Sequence, residues 1–273
     1  MYIGVFDSGY GGLTVLKHFI EQLPDYDYIY LGDNARAPYG TRSFETVYQY
    51  TLQAVKKLFE LGSQLVILAC NTASAKALRT IQQKDLPLLA PERRVLGVIR
   101  PSAEVIGEYT HTGKVGILAT PGTVNSMSYV LEINKLYPEV VVYQQACPMW
   151  VPLVENDEHT GEGADYFVKK CINQLLAQDE DIDTIVLACT HYPLLLPKIK
   201  KFLPREITII SQGPIVAQKL KDYLTRHPEI ETKLGRNKKR LFFTTDIPED
   251  FDKKALKFID GLTVPQSQKI SLI

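Results

Sequence analysis

One short motif occurs twice, and it constrains the fold more than anything else in this chain. Leu65-Val66-Ile67-Leu68-Ala69-Cys70-Asn71-Thr72 is answered in the second half of the sequence by Thr184-Ile185-Val186-Leu187-Ala188-Cys189-Thr190-His191. Each is a strand-like apolar run ending in Ala-Cys and two polar residues before a helical pattern resumes. A weaker echo, Gly4-Val5-Phe6-Asp7-Ser8-Gly9 against Gly116-Ile117-Leu118-Ala119-Thr120-Pro121-Gly122, precedes each Ala-Cys strand by a similar distance. Two similar halves are implied, and if they face each other each contributes one strand-end cysteine to a shared cleft. Chance likeness is the alternative, because β-branched strands ending in small residues are common.

The rest of the sequence fits that reading. Short apolar runs at 2–6, 28–31, 65–68, 95–98, 115–118, 140–143, 184–187 and 207–210 alternate with longer helical patterns, including 43–61 and its later counterpart 160–178, while Gly11-Gly12-Leu13 opens the first helix. Most runs lack the polar alternation of a half-exposed strand, which suits parallel strands covered by helices on both faces. The expected fold is α/β, with two similar halves, each a mainly parallel sheet flanked by helices. Residues 241–245 look like a return to the first half, so residues 1–98 plus 208–273 form a discontinuous first domain and 99–207 the second. Open parallel sheets bind ligands at the carboxyl ends of their strands, so the residues just after each strand matter most.

Composition narrows the partners. The 31 basic and 31 acidic side chains cancel, so no strong positive field suggests a nucleic-acid or membrane-surface partner. The basic stretch 233–240 contains Gly235 and Asn237 and reads as a solvated turn before a strand. No apolar segment approaches the roughly 20 residues needed to span a bilayer, and the start Met1-Tyr2-Ile3-Gly4-Val5 lacks the pattern of a signal peptide. A cytoplasmic protein with a small-molecule partner is expected. The four cysteines are scattered without CxxC spacing, so reduced thiols are expected.

The setting of each cysteine separates chemistry from packing. Cys70 and Cys189 end a strand just before a helix start, where backbone N–H groups and the helix dipole favour an anion and ease thiolate formation. Cys171 lies in a helical stretch, and Cys147, before Pro148, has no helix start beside it; both read as structural. Asp7 could accept a proton or hold an amine, and Ser8 with Gly9, Gly11 and Gly12 permits close approach to a ligand, although Asp7 or Ser8 could equally cap a helix. Asn71, Thr72 and Thr190 offer a carboxylate cradle. His191 can exchange protons near neutral pH. Pro38-Tyr39-Gly40 could present backbone N–H groups and a phenol to the distal end of a ligand, or form an ordinary turn. Glu155 is an acid closing an apolar stretch, where a surface carboxylate would be unremarkable.

Other chemistries fit less well. Gly9-Tyr10-Gly11-Gly12 lacks the third glycine of the dinucleotide fingerprint, and no GxxxxGK[ST] loop exists. Zinc would lack a compact ligand pair of the usual spacing. A cysteine hydrolase would leave the repeated cysteine unexplained.

Taken together, Asp7-Ser8-Gly9-Tyr10-Gly11-Gly12, Pro38-Tyr39-Gly40, Ala69-Cys70-Asn71-Thr72-Ala73, Ala119-Thr120 with Thr123, Cys147-Pro148 through Val151-Pro152-Leu153-Val154-Glu155, and Cys189-Thr190-His191-Tyr192-Pro193 resemble the glutamate racemase family, within the aspartate/glutamate racemase superfamily, over nearly the whole chain. The resemblance implies two pseudo-symmetric α/β domains with the active site between them, and interconversion of L- and D-glutamate without a cofactor or metal, supplying D-glutamate for peptidoglycan. It implies that Cys70 deprotonates D-glutamate with help from Asp7, and Cys189 L-glutamate with help from His191 and Glu155. Ser8, Asn71, Thr72, Thr120, Thr123 and Thr190 would bind the amine and α-carboxylate, and Pro38-Tyr39-Gly40 the distal end. Homodimers are common in that family, and one is expected here.

Inverting a stereocentre by proton transfer needs a base on one face and an acid on the other, and two symmetric cysteines supply both. A free cysteine has a pKa of about 8.5, so one must be biased to thiolate. The carbanionic transition state, without a pyridoxal-type electron sink, must rest on hydrogen bonds to the carboxylate and a nearby ammonium. One departure stands out: many relatives carry an Asp-Ser-like pair where this chain has Ser211-Gln212-Gly213, which bears on contacts at the domain junction. The chain also begins at its first strand, without the extension of members activated by a peptidoglycan precursor, so activity without that activator is expected. Two other readings remain: an aspartate or broader acidic amino-acid racemase with a shorter pocket, and a binding protein that has lost turnover.

Overall fold

The computed structural model describes residues 1–259 and 266–272. The apolar runs form two all-parallel sheets. β1 (Tyr2–Asp7), β2 (Tyr28–Gly32), β3 (Ser63–Leu68) and β4 (Arg94–Gly97) belong to the first; β5 (Lys114–Ala119), β6 (Val141–Ala146), β7 (Thr184–Ala188) and β8 (Thr208–Ser211) make the second; β9 (Arg240–Thr244) and β10 (Gln268–Lys269) extend the first. The first sheet runs β10-β9-β2-β1-β3-β4 and the second β6-β5-β7-β8. In both halves the second strand lies outside the first, followed by the third and fourth, so the halves repeat one winding.

One sequence expectation changes, and one strand was not foreseen. The division at residue 208 would cut β8 from β7, with which it pairs from Thr184↔Thr208 to Leu187↔Ser211; the sheets divide after Ser211, and the chain returns to the first through the helix Gln212–Arg226. The short β10, aligned with Phe243 and Thr244, had no apolar run to announce it.

Local chemistry sets the helix ends. Ser43 caps the long helix Phe44–Glu60 by accepting from the Thr46 N–H at 3.1 Å, and Gly62, at φ +91°, carries the chain out through a left-handed turn that a side chain would strain. Thr120 caps Pro121–Asn125 in the same way. The inner strands β1, β2, β3, β5 and β7 are buried on both faces. One core cluster lies between the halves, where the helices Leu13–Gln22 and Gln212–Arg226 meet through Leu13, Leu16, Val216 and Leu220. A second covers the outer face of the first sheet with Val47, Val55 and Leu58, and a third covers the second sheet with Ile99, Tyr129 and Ile133. Each such fully buried side chain contributes roughly 1.5–3 kcal/mol, so the sheets are held and their carboxyl ends are free for chemistry. Among the described residues, no helix is long and apolar enough to cross a membrane.

Candidate active site

The carboxyl ends of β1 and β3 meet those of β5 and β7 around a cleft of about 100 Å³. Ser8, Pro38, Tyr39, Gly40, Cys70, Asn71, Thr72, Thr120, Glu155, Cys189, Thr190 and His191 all line it. Asp7 and Thr123 stand behind. Thr41, Pro121, Pro148, Val151 and Pro152 complete the wall, and none of these five was singled out from sequence as a contact.

The two cysteines sit in unlike surroundings. Cys70 caps the helix Asn71–Lys76, its sulfur accepting from the Ala73 N–H at 3.4 Å while its thiol donates to Ser8 Oγ at 3.5 Å. Burial, and next to it the Asp7 carboxylate, push that thiol up to about 12. The expected easing of a thiolate by the helix start is therefore overridden here, because one backbone N–H and one hydroxyl do not replace the water lost. Cys189 corrects the expectation differently: no α-helix follows it at once. His191 instead begins a single 3₁₀ turn, Tyr192–Leu195, with Pro193 inside it, before the helix Leu196–Phe202. The neighbour of Cys189 is an imidazole. His191 Nδ1 lies 3.9 Å from Cys189 Sγ, and Nε2 lies 3.0 Å from Glu155 Oε1. Burial opposes a charge on His191, but hydrogen bonds and the charges of Cys189 and Glu155 outweigh it and raise the imidazole to about 10. One half of the cleft thus keeps a neutral thiol, and the other sets the Cys189 sulfur beside an imidazolium.

Asp7 is fully buried and accepts from the Gly9 N–H at 2.9 Å and from Thr190 Oγ1 at 3.4 Å. Burial raises its carboxyl, against the lowering influence of His191 and the backbone N–H groups of Gly9 and Gly12. The glycines were expected to admit a ligand, yet they admit the protein itself. A Cβ on Gly11 would come within 2.2 Å of Thr190 Oγ1 and 2.5 Å of His191 Nδ1, and one on Gly12 within 2.6 Å of Asp7 Cβ. Gly11 is what lets the first half touch the Cys189 loop.

The threonines form a hydroxyl cluster across the halves: Thr72 Oγ1 is 2.9 Å from Thr120 Oγ1, which donates to Thr123 Oγ1 at 3.2 Å. Residues 38–40 reach the cleft as expected, with the Gly40 carbonyl accepting from the Gly122 N–H at 2.7 Å. The phenol is held by the protein itself. Tyr39 is 1% exposed and its hydroxyl donates to the buried carboxylate of Asp33, which also accepts from Arg36 Nε at 2.7 Å. Cys147 and Cys171 are buried in the core; a short helix, Trp150–Glu155, does start close beyond Cys147, with the Trp150 N–H donating to the Cys147 carbonyl at 3.2 Å, and its last residue delivers Glu155 to His191. Asp33 and Tyr129 are buried polar groups beside the site that sequence reasoning missed, and Gln212 was noted only as a departure at the domain junction, for none belongs to a local pattern that marks its partner.

Comparison with known proteins identifies the family. The Asp/Glu/Hydantoin racemase family model matches residues 3–220. A glutamate racemase of Geobacter metallireducens is 39% identical over 259 residues, covering 95% of this chain and 93% of its own. The solved glutamate racemase RacE1 of Bacillus anthracis superposes with a TM-score of 0.88 at 36% identity, covering 99% of this chain and 97% of its own. That of Francisella tularensis, solved in complex with D-glutamate, reaches 0.88 at 32% identity with the same coverage. The chain therefore belongs to the Asp/Glu/hydantoin racemase family and is an isomerase.

Proposed function

We propose that this racemase interconverts L- and D-glutamate without a cofactor, with Cys70 and Cys189 as the two acid/base groups, and that it supplies D-glutamate for peptidoglycan in the cytoplasm. The observation that carries the reading is the unlike pairing of the two cleft cysteines, a thiol pushed up to about 12 beside Asp7 and a sulfur beside an imidazolium held by Glu155. The glutamate racemases among its relatives support the substrate.

In the L-to-D direction Cys189, as thiolate, takes the α-proton from one face. The electron pair left on Cα then takes the proton of the Cys70 thiol on the other face, so the enzyme ends with Cys70 as thiolate and Cys189 as thiol. His191 and Glu155 favour the charge on Cys189 before the transfer, and Asp7 acts on Cys70 after it. The hydroxyls of Ser8, Thr72, Thr120 and Thr190 and the amide of Asn71 receive the amine and α-carboxylate, with Thr123 holding Thr120. With the Tyr39 phenol committed to Asp33, the distal carboxylate meets the backbone of residues 38–40 and the Thr41 hydroxyl. Residues 1–98 with the segment after Ser211, and 99–211, are the two domains that close on it, and a homodimer is the assembly we expect.

Turnover of D- and L-glutamate measured beside D- and L-aspartate tests the substrate. Glutamate turned over far faster supports the reading; faster aspartate would place the protein with aspartate racemases, and ligand binding without turnover would make it a binding protein.

A further inference from the structure

Behind Asn71 lies a closed circuit of hydrogen bonds built on Gln212, the residue at which this chain departs from the pattern it resembles. The polarity of the circuit is forced. The Val98 carbonyl can only accept, and Ser102 Oγ has already donated to it at 2.9 Å; Gln212 Nε2 lies 3.2 Å from that carbonyl and 2.7 Å from Ser102 Oγ. This end of the Gln212 amide must therefore be its nitrogen. Its oxygen then faces Asn71 Nδ2 at 2.6 Å, so the Asn71 oxygen turns to the Tyr129 hydroxyl, which donates at 2.7 Å. The Tyr129 oxygen accepts in turn from Gln212 Nε2 at 2.7 Å. Asn71, Gln212 and Tyr129 each donate once and accept once around the ring.

All the ring residues are buried, Gln212 to 4% and Asn71 to 2% exposure, so reversing either amide would set oxygen against oxygen where no water can relieve it, at a cost of roughly 1–3 kcal/mol for each unsatisfied group. The ring leaves one Nδ2 hydrogen of Asn71 outside it, on a residue that lines the cleft beside Cys70. We propose that Gln212 is a positioning residue: through this ring, which joins both halves of the molecule, it holds the Asn71 amide with its nitrogen rather than its oxygen offered to the substrate's carboxylate. The inference rests on the reading of Asn71 as a substrate contact.

The test compares kcat, KM for each enantiomer of glutamate, and Tm in Gln212→Met, Asn71→Ala, the double variant, and Tyr129→Phe with and without Asn71→Ala. Losing an aligned hydrogen bond to a charged group should raise KM about tenfold in Gln212→Met, and adding that change to Asn71→Ala should raise it no further. Tyr129→Phe should act in the same direction, more weakly, and again without adding to Asn71→Ala. A Gln212→Met that lowers only Tm, or whose effect on KM multiplies with that of Asn71→Ala, overturns the proposal. An Asn71→Ala variant with unchanged KM would instead sink the substrate-contact reading, and the inference with it. Should Gln212→Met fail to fold, the Tyr129→Phe pair decides by the same criterion.

Discussion

Glu155→Gln separates the electrostatic part of this account from the rest. In the native protein Glu155 Oε1 lies 3.0 Å from His191 Nε2, and the imidazole is held at about 10. A hydrogen bond to a charged group is worth ~1.5–3 kcal/mol, and about 1.4 kcal/mol corresponds to one pH unit, so the variant should titrate His191 between roughly 8 and 9. The stability that follows from this is signed: because the folded value lies above the ordinary 6.5, the stabilisation is fully present below pH 6.5 and is lost as pH rises through about 10 in the native protein, and earlier in the variant. The assay is NMR of histidine-labelled protein, with five histidines and His191 assigned by its absence in a His191→Asn variant. L- and D-glutamate have equal free energies, so kcat/KM must fall equally in both directions in any variant that still turns over; only its pH profile is informative, and its basic limb should move down with the imidazole. A midpoint near 6.5 in the native protein, or one unmoved in Glu155→Gln, would refute the reasoning.

Three further outcomes follow from single contacts. Gly11→Ala places a methyl group against Thr190 and His191 and should cost about 1–3 kcal/mol, read as a lower Tm together with reduced kcat; an unchanged Tm would mean that the approach is looser than described. Cys70, with its thiol pushed up to about 12, should react with iodoacetamide at pH 8 at least a hundredfold more slowly than a free cysteine of pKa about 8.5, as followed by mass spectrometry of the substrate-free enzyme; equal rates would count against it. Tyr39→Phe removes a donor from the buried Asp33 and should destabilise the protein by roughly 1–3 kcal/mol in urea unfolding, with KM for glutamate little changed, since the hydroxyl is already committed to Asp33.

What could be read in the sequence was what is local. Strand runs such as 65–68 and 184–187 declare themselves through continuous apolar residues, and the repeated Ala-Cys ending placed Cys70 and Cys189 on one cleft because equivalent strand ends in repeated halves face alike. Interactions between distant segments left no such trace. Tyr39 meets Asp33 through the path of a loop, Gly11 is small because Thr190 and His191 occupy its side-chain space, and Gln212 is joined to Asn71 and Tyr129 only after both halves have packed. The assignment of β8 to the second sheet depends on pairing, which apolar content does not encode. The thiolate-favouring setting expected at Cys70 failed for a related reason: helix-end electrostatics is visible in sequence, whereas the desolvation that exceeds it depends on what packs above.

The central claim, two cysteines acting on opposite faces, is tested most directly by α-proton exchange from D- and L-glutamate in deuterated water, in the native enzyme and in Cys70→Ser and Cys189→Ser. The native enzyme should exchange both enantiomers with inversion; Cys70→Ser should keep exchange chiefly with L-glutamate, Cys189→Ser chiefly with D-glutamate, each without inversion. Loss of exchange to the same extent with both enantiomers in either variant, or inversion surviving in one of them, would contradict the two-base account.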